Sequence, residues 1–245
     1  ISHDDLDLEL SSDGSSCVLS WADIVFEDRG VYELAIMATD NGETVYYKVD
    51  LTVYAWMVEL EEGWNLFSIP MTPCSTDIED VLADVYENIV YEDTSTYSVY
   101  HYDAVDDEWL RARRYTDDDN GGFTASSRKL EDVVPGYSYW LNMEAEDVLY
   151  GLDCSFDMPQ FPVPSVELAA GSWNMVGRYG VDPLEYSNLG LAFETLEGNW
   201  FANSLLGFDN DWYLSDKLVV GDGYWLRTSG EGELTYEPLA YYFGL

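Results

Sequence analysis

The chain has 245 residues, 47% hydrophobic and 16% aromatic, so it carries enough apolar surface for two or three small domains and is not a disordered polypeptide. Forty-eight Asp and Glu stand against ten Lys and Arg, a formal net charge of -38. That balance argues against nucleic-acid binding, which needs a positive patch to release phosphate counterions, and against adsorption to an anionic membrane. No run of about 20 apolar residues exists, so no segment reads as a membrane-spanning helix.

Like charge at this density repels itself. Two remedies follow: a high-salt setting, where roughly 1 M salt shortens the Debye length to about 3 Å, or divalent cations held by the carboxylates. The 20 Tyr and 9 Trp fit pleated, half-buried surfaces and favour a mainly β fold. Position 1 is Ile, as a removed signal peptide, a proteolytic cut or a fragment would leave it.

Residues 1–56 read as one β unit. Leu6, Leu8 and Leu10 alternate with acidic residues as a half-buried strand does, and Ser11 to Gly14 read as a turn. Val18–Trp21 and Val31–Thr39 are further strands. Asp40-Asn41-Gly42 is a hairpin signal, and Val45 to Tyr54 is the return strand. This stretch resembles the second half of the immunoglobulin-like and cadherin-like domains of secreted prokaryotic proteins. The resemblance is carried by Leu19-Ser20-Trp21, Asp28-Arg29-Gly30-Val31-Tyr32-Glu33-Leu34, Ala38-Thr39-Asp40-Asn41-Gly42 and Val49-Asp50-Leu51-Thr52-Val53. It implies a β-sandwich portion. A full domain of that type needs about 100 residues and seven strands, so the first strands are expected from a missing segment or from another molecule. An unfilled sheet edge of that kind is a polymerisation site.

Residues 57–158 read as a first module. Val58-Glu59-Leu60 and Trp64 to Pro70 open it, and Gly136 to Met143, with Tyr139-Trp140-Leu141, close it. Between them, Ile78, Val81, Leu82, Val85 and Ile89 make a helical stripe behind an N-cap at Ser75, Thr76 or Asp77. Ser98 to Asp103 and Trp109 form an aromatic hairpin. Residues 159–165 are a proline-rich linker. Residues 166–238 repeat the plan: Val166-Glu167-Leu168, then Trp173-Asn174-Met175-Val176, an aromatic hairpin from Leu206 to Trp212, and Tyr224-Trp225-Leu226. A helix is expected between Asp182 and Leu196. An apolar tail, residues 239–245, ends the chain.

The paired signature resembles the G-W-N-L-I-S-x-P plus G-Y-W-L repeat of archaeal and some bacterial cell-surface proteins, where it follows immunoglobulin-like domains in S-layer-type modular proteins. The second copy departs from it, with Ser172 inserted and Gly177-Arg178 in place of Ile-Pro. The resemblance implies two small antiparallel β modules, each with about one helix, and an extracellular, cell-surface location.

Motifs that carry chemistry are missing: no G-x-S-x-G, H-E-x-x-H, P-loop or G-x-G-x-x-G sequence occurs. Of the two histidines, His101 sits mid-strand among tyrosines and reads as a packed residue. The expectation is a non-enzyme. Thr116 to Gly122, with Asp117, Asp119 and Asn120, offers oxygen ligands before a glycine turn and suits Ca2+. Glu27, Asp28 and Asp40 are a second calcium candidate by resemblance to cadherin-like junctions. Ca2+ is the one cofactor considered. Cys74 and Cys154 follow the first W-N-L and Y-W-L strands. A disulfide between them would staple the first module and leave Cys17 over, and three reduced thiols are the alternative. Trp64, Trp140, Trp173 and Trp225 read as core. Trp109, Trp200 and Trp212 read as exposed contacts.

The expected function is a structural subunit of an extracellular S-layer, sheath or filament that associates with itself, and with other envelope proteins or glycans, through sheet edges. Leu6, Leu8 and Leu10 at one end and Tyr241, Tyr242 and Phe243 at the other are the expected assembly strands. The alternative is an adhesin that binds a glycan through Trp109, Trp200 and Trp212. A secreted hydrolase with two converging carboxylates ranks third.

Overall fold

The computed structural model describes residues 6–10, 17–21, 30–40, 43–91, 97–115, 122–125, 130–154, 164–185, 193–194, 202–230 and 232–236. The chain is mainly β and divides into two compact units, Ile1–Ala55 and Trp56–Leu245. In the first unit, β1 (Leu6–Leu10) pairs antiparallel with β2 (Cys17–Trp21), Leu6 opposite Trp21. β3 (Gly30–Asp40) and β4 (Glu43–Val53) form an eleven-residue antiparallel ladder, from Gly30 opposite Val53 to Asp40 opposite Glu43.

The second unit contains both stretches that the sequence presents as modules. β5 (Trp56–Leu60) runs into β6 (Gly63–Ser68) through a turn in which Gly63 takes a φ of 95°. Next come α1 (Ile78–Val81), a 3-10 helix (Ala83–Asn88), β7 (Val99–Asp103), β8 (Glu108–Tyr115), β9 (Gly122–Ala125), β10 (Ser138–Met143) and β11 (Asp147–Gly151). β6, β10, β7, β8 and β9 make a five-stranded sheet in that order, and β11 pairs with β5. Then follow β12 (Ser165–Leu168), β13 (Trp173–Gly177), β14 (Leu184–Glu185), β15 (Phe193–Glu194), β16 (Ala202–Asp209), β17 (Asp211–Leu214), β18 (Lys217–Leu218), β19 (Gly223–Thr228) and β20 (Gly232–Thr235). β13, β19, β16 and β17 make a four-stranded sheet, β20 lies between β12 and β15, and β14 pairs with β18.

One helical expectation changes. The stripe from Ile78 to Ile89 is one four-residue α-turn, capped by the Asp77 carboxylate on the Glu79 amide, followed by a 3-10 helix. Its Asp, Val and Tyr residues are weak helix formers. Burial is nevertheless what the stripe demands: Leu82, Val85 and Ile89 are fully buried. Of the helix expected between Asp182 and Leu196, Leu184–Glu185 and Phe193–Glu194 are strands, and residues 186–192 lie outside the described residues.

The two sheets are built on matching registers. Ser68 pairs with Ser138 and Phe67 with Tyr139 in one; Gly177 pairs with Gly223 and Val176 with Tyr224 in the other. Each has a buried tyrosine whose hydroxyl accepts an amide five residues earlier: Val134 N–H to Tyr139 at 2.8 Å, and Val219 N–H to Tyr224 at 3.0 Å. Each opening turn is tied by an asparagine. Asn65 accepts from the Glu61 amide at 2.8 Å and Asn174 accepts from the Ala169 amide at 2.8 Å. The extra Ser172 is absorbed inside the second turn, so the strand that follows keeps its register.

Contacts between the sheets come in reciprocal pairs, as about a local two-fold axis. The Ser68 amide donates to Gly221 O at 2.8 Å, and the Gly177 amide to Gly136 O at 2.8 Å. Phe67 bridges Asp222, and Val176 bridges Tyr137. The approach is close enough to require small residues. A Cβ on Gly177 would lie 2.1 Å from the Ser68 Cβ, and one on Gly223 would lie 2.7 Å from the Ser138 Cβ.

Candidate assembly edge and acidic groove

Strand alternation sends the side chains of β7 to two sides. Val99 and His101 are buried, while Tyr100 and Tyr102 stand on the face shared with Trp64, Trp140 and Trp109. That face meets the second sheet through two swapped aromatic triads. Trp140 packs on Phe208 and Trp212, with ring centroids 4.9 and 5.8 Å apart; Trp225 packs on Tyr102 and Trp109 at 5.8 and 5.9 Å. Each Y-W-L tryptophan therefore sits on the hairpin aromatics of the other sheet. Tilted and edge-to-face rings at these distances are the favoured aromatic arrangements. The reading of Trp64 as core is corrected: it is 40% exposed, and in the two Y-W-L signatures it is Tyr139 and Tyr224, not Trp140 and Trp225, that are fully enclosed. One residue of register decides which of the two aromatics enters the core.

Among the described residues, a larger and a smaller groove lie between the sheets. The larger encloses about 970 Å³ between β5–β6 and the β16–β17 turn. Its walls carry Glu59, Glu61, Glu146, Asp147, Asp209 and Asp222, with Trp64, Phe208 and Tyr213, and no basic residue. Asn210, in the left-handed region at φ 54°, donates to the Glu61 carboxylate at 2.8 Å across it. Asp222 keeps an exposed side, yet loss of water from its carboxyl raises its pKa. The smaller groove, about 280 Å³, occupies the corresponding place beside β12–β13 and includes His101, Tyr137 and Glu167. His101 is buried, its Nδ1 is 2.9 Å from Ser138 O, and it meets the Tyr137 and Tyr139 rings at 5.1 Å. Burial lowers its pKa, as expected of a packed neutral imidazole.

The edges of the two sheets differ. β8 is covered by β9, whereas β17, its counterpart, has no further strand beside it among the described residues. All four β17 residues are exposed; Trp212 is 49% and Leu214 is 77% accessible.

Strand alternation also divides Arg111, Arg113 and Arg114 of β8. Arg111 and Arg113 flank the Tyr97 ring at 4.3 and 4.7 Å. Arg114 points the other way and caps the 3-10 helix, donating to Glu87 O and Ile89 O at 3.1 and 2.6 Å. Of the other sites expected from sequence, Cys74 and Cys154 are joined by a disulfide, with Cα atoms 5.0 Å apart. Trp109 is 42% exposed and belongs to a triad. Asp40 ends β3 opposite Glu43, and Leu6, Leu8 and Leu10 lie in β1. Glu27, Asp28, Asp117, Asp119, Asn120, Trp200, Tyr241, Tyr242 and Phe243 lie outside the described residues, as does linker 159–163. Among the described residues, no three His, Cys, Asp or Glu side chains are grouped to hold a metal ion. No described helix is long and apolar enough to cross a membrane. The sequence signals missed were the small residues Ser68, Ser138, Gly177 and Gly223, visible as matched positions but silent about what they approach.

No family model, curated protein or solved structure matches this chain.

Proposed function

We propose that this chain is a structural subunit of an extracellular assembly that grows by pairing sheet edges between copies. The observation that carries this reading is β17, an edge strand whose apolar residues Trp212 and Leu214 are open to solvent. An edge strand exposes a row of backbone donors and acceptors, and beyond Asp211 at its start β17 carries no charge or proline to discourage pairing. β9 lying against β8 is a precedent within the same molecule for a strand in that place. On this reading the Trp56–Leu245 unit is a duplicated β module, and the first unit is part of an immunoglobulin-like sandwich. The apolar terminal segments supply strands, and salt or Ca2+ keeps the acidic surfaces compatible. Leu214→Lys adds a charge to the edge without touching the core. Sedimentation and electron microscopy should show self-association by the parent chain and its loss in the variant. A parent chain that stays monomeric at high protein and salt concentration overturns the reading.

A second reading, recognition of a glycan, is supported by the exposed Trp109 and Trp212. Trp109 separates the two, because it belongs to β8 and not to β17. Saturable oligosaccharide binding lost in Trp109→Ala, with assembly intact, favours the adhesin.

A further inference from the structure

The smaller groove holds a polar atom that the packing does not use. His101 is buried, with 6% of its surface accessible. Its Nδ1 lies 2.9 Å from the Ser138 carbonyl, which can only accept, so Nδ1 carries the proton and Nε2 keeps a lone pair. Nε2 has no hydrogen-bond partner among the described residues, yet it is not sealed off: it reaches the groove that His101 lines. The second sheet shows that the shared plan does not need this group. Tyr100 lies opposite Trp140 and Leu206 opposite Trp225, which sets Gly207 in the place of His101. There the Tyr213 ring fills the space, 2.3 Å from where a Cβ on Gly207 would stand. A glycine under a ring serves the packing in one sheet; in the other, the imidazole adds an acceptor. Around it the groove offers the carboxylates of Asp103, Asp106 and Glu167 and the Tyr137 ring, and no basic side chain. The Asp103 carboxylate is fixed by the Val105 and Asp106 amides at 3.0 and 3.2 Å, and its charge acts on both His101 and Tyr137.

We propose that the smaller groove binds a primary alkylammonium group, with one of its N–H bonds donated to His101 Nε2. The wall supplies an imidazole lone pair and carboxylates, all acceptors, and an ammonium is the complementary group, with three donors and no acceptor. Asp103 and Glu167 balance its charge, and the Tyr137 ring adds a cation–π surface. A space of about 280 Å³ admits one such chain end. A lysine side chain and a free diamine share this chemistry. The site lies apart from β17 and stands whether or not the chain assembles through that edge.

The test uses the nitrogen-15-labelled full chain in about 0.5 M NaCl, where diffuse attraction to the acidic surface is largely screened. The chain has two histidines, so the imidazole nitrogens of His101 can be told from those of His3 by nuclear magnetic resonance. Titration with butylammonium chloride should move the His101 Nε2 resonance saturably, as a lone pair that gains a donor, and leave His3 where it is. Butyltrimethylammonium carries the charge without an N–H; it should bind roughly tenfold more weakly or worse and leave Nε2 unmoved. Glu167→Gln, at an exposed position, should weaken butylammonium binding several-fold without changing the melting temperature. His101→Phe should abolish it; if that variant does not fold, the Nε2 response of the parent chain decides. Nα-acetyl-lysine methylamide and cadaverine, compared in the same way, separate a lysine side chain from a free diamine by which binds more tightly. Equal binding of the quaternary ion would reduce the attraction to charge alone and overturn the proposal. So would an Nε2 resonance that stays still or moves without saturating.

Discussion

Glycine at 223 is a steric requirement, not a turn preference. An added Cβ there would lie 2.7 Å from the Ser138 Cβ, 2.9 Å from Leu66 Cγ and 2.9 Å from the Phe67 carbonyl. The first two could shift only by separating the sheets, and the third is backbone. Gly223→Ala should therefore cost about 1–3 kcal/mol of stability, the usual range for overpacking, read as a lower urea midpoint. Gly232→Ala is the control, since nothing lies within 4 Å of an added Cβ there. The buried tyrosines make a second residue-level prediction. Burial raises the pKa of the Tyr139, Tyr224 and Tyr236 hydroxyls well above the ordinary 10.0. The folded state then holds these protons when the unfolded state has released them. Stability should be full below about pH 10 and fall as pH rises beyond it. Absorbance at the phenolate band should show an ionisation step that coincides with loss of far-UV circular dichroism. Stepwise ionisation with the fold intact would contradict this.

At the scale of elements, strands with a clear period of two were readable from sequence, and their pairings were partly so. Val99 and His101 inside and Tyr100 and Tyr102 outside follow from alternation. The strong Asp40-Asn41-Gly42 signal lies where β3 turns back into β4. The helical stripe identified the right buried residues but overstated the length, since burial of a face does not make Asp, Val and Tyr good helix formers. The role of the tryptophans was not readable. Y-W-L contains two aromatics on opposite faces, and only the partner sheet decides which is enclosed. The disulfide acts at this scale too. It joins Cys74, beyond β6, to Cys154, beyond β11, across a separation of 80 residues. In the chain-entropy picture such a loop closure stabilises by about 4 kcal/mol. Cys74→Ser/Cys154→Ser should lower the denaturant midpoint accordingly and leave the folded far-UV spectrum unchanged; an unchanged midpoint would assign the bond no stabilising role.

For the whole molecule, charge dominates. A net charge of -38 on 245 residues repels itself inside one chain, and repels a second copy across any shared edge. Both effects depend on the same screening length, about 10 Å at 0.1 M salt and about 3 Å at 1 M. Stability and self-association should consequently rise together over that range. The melting temperature should climb by several degrees and level off near 1 M NaCl, and the sedimentation coefficient should grow in the same window. The two responses separate in Leu214→Lys. Its melting temperature should still follow salt, because its fold bears the same repulsion, while its sedimentation should stay flat, because the edge is blocked. Calcium divides the explanations further. If screening alone acts, CaCl2 at matched ionic strength should match NaCl. If the carboxylates hold specific ions, millimolar Ca2+ should add stability that saturates, by linkage of binding to the folded state. A melting temperature insensitive to both salts would mean that the acidic surface is already accommodated by the spacing of its charges, and the coupling between salt and assembly argued here would fail.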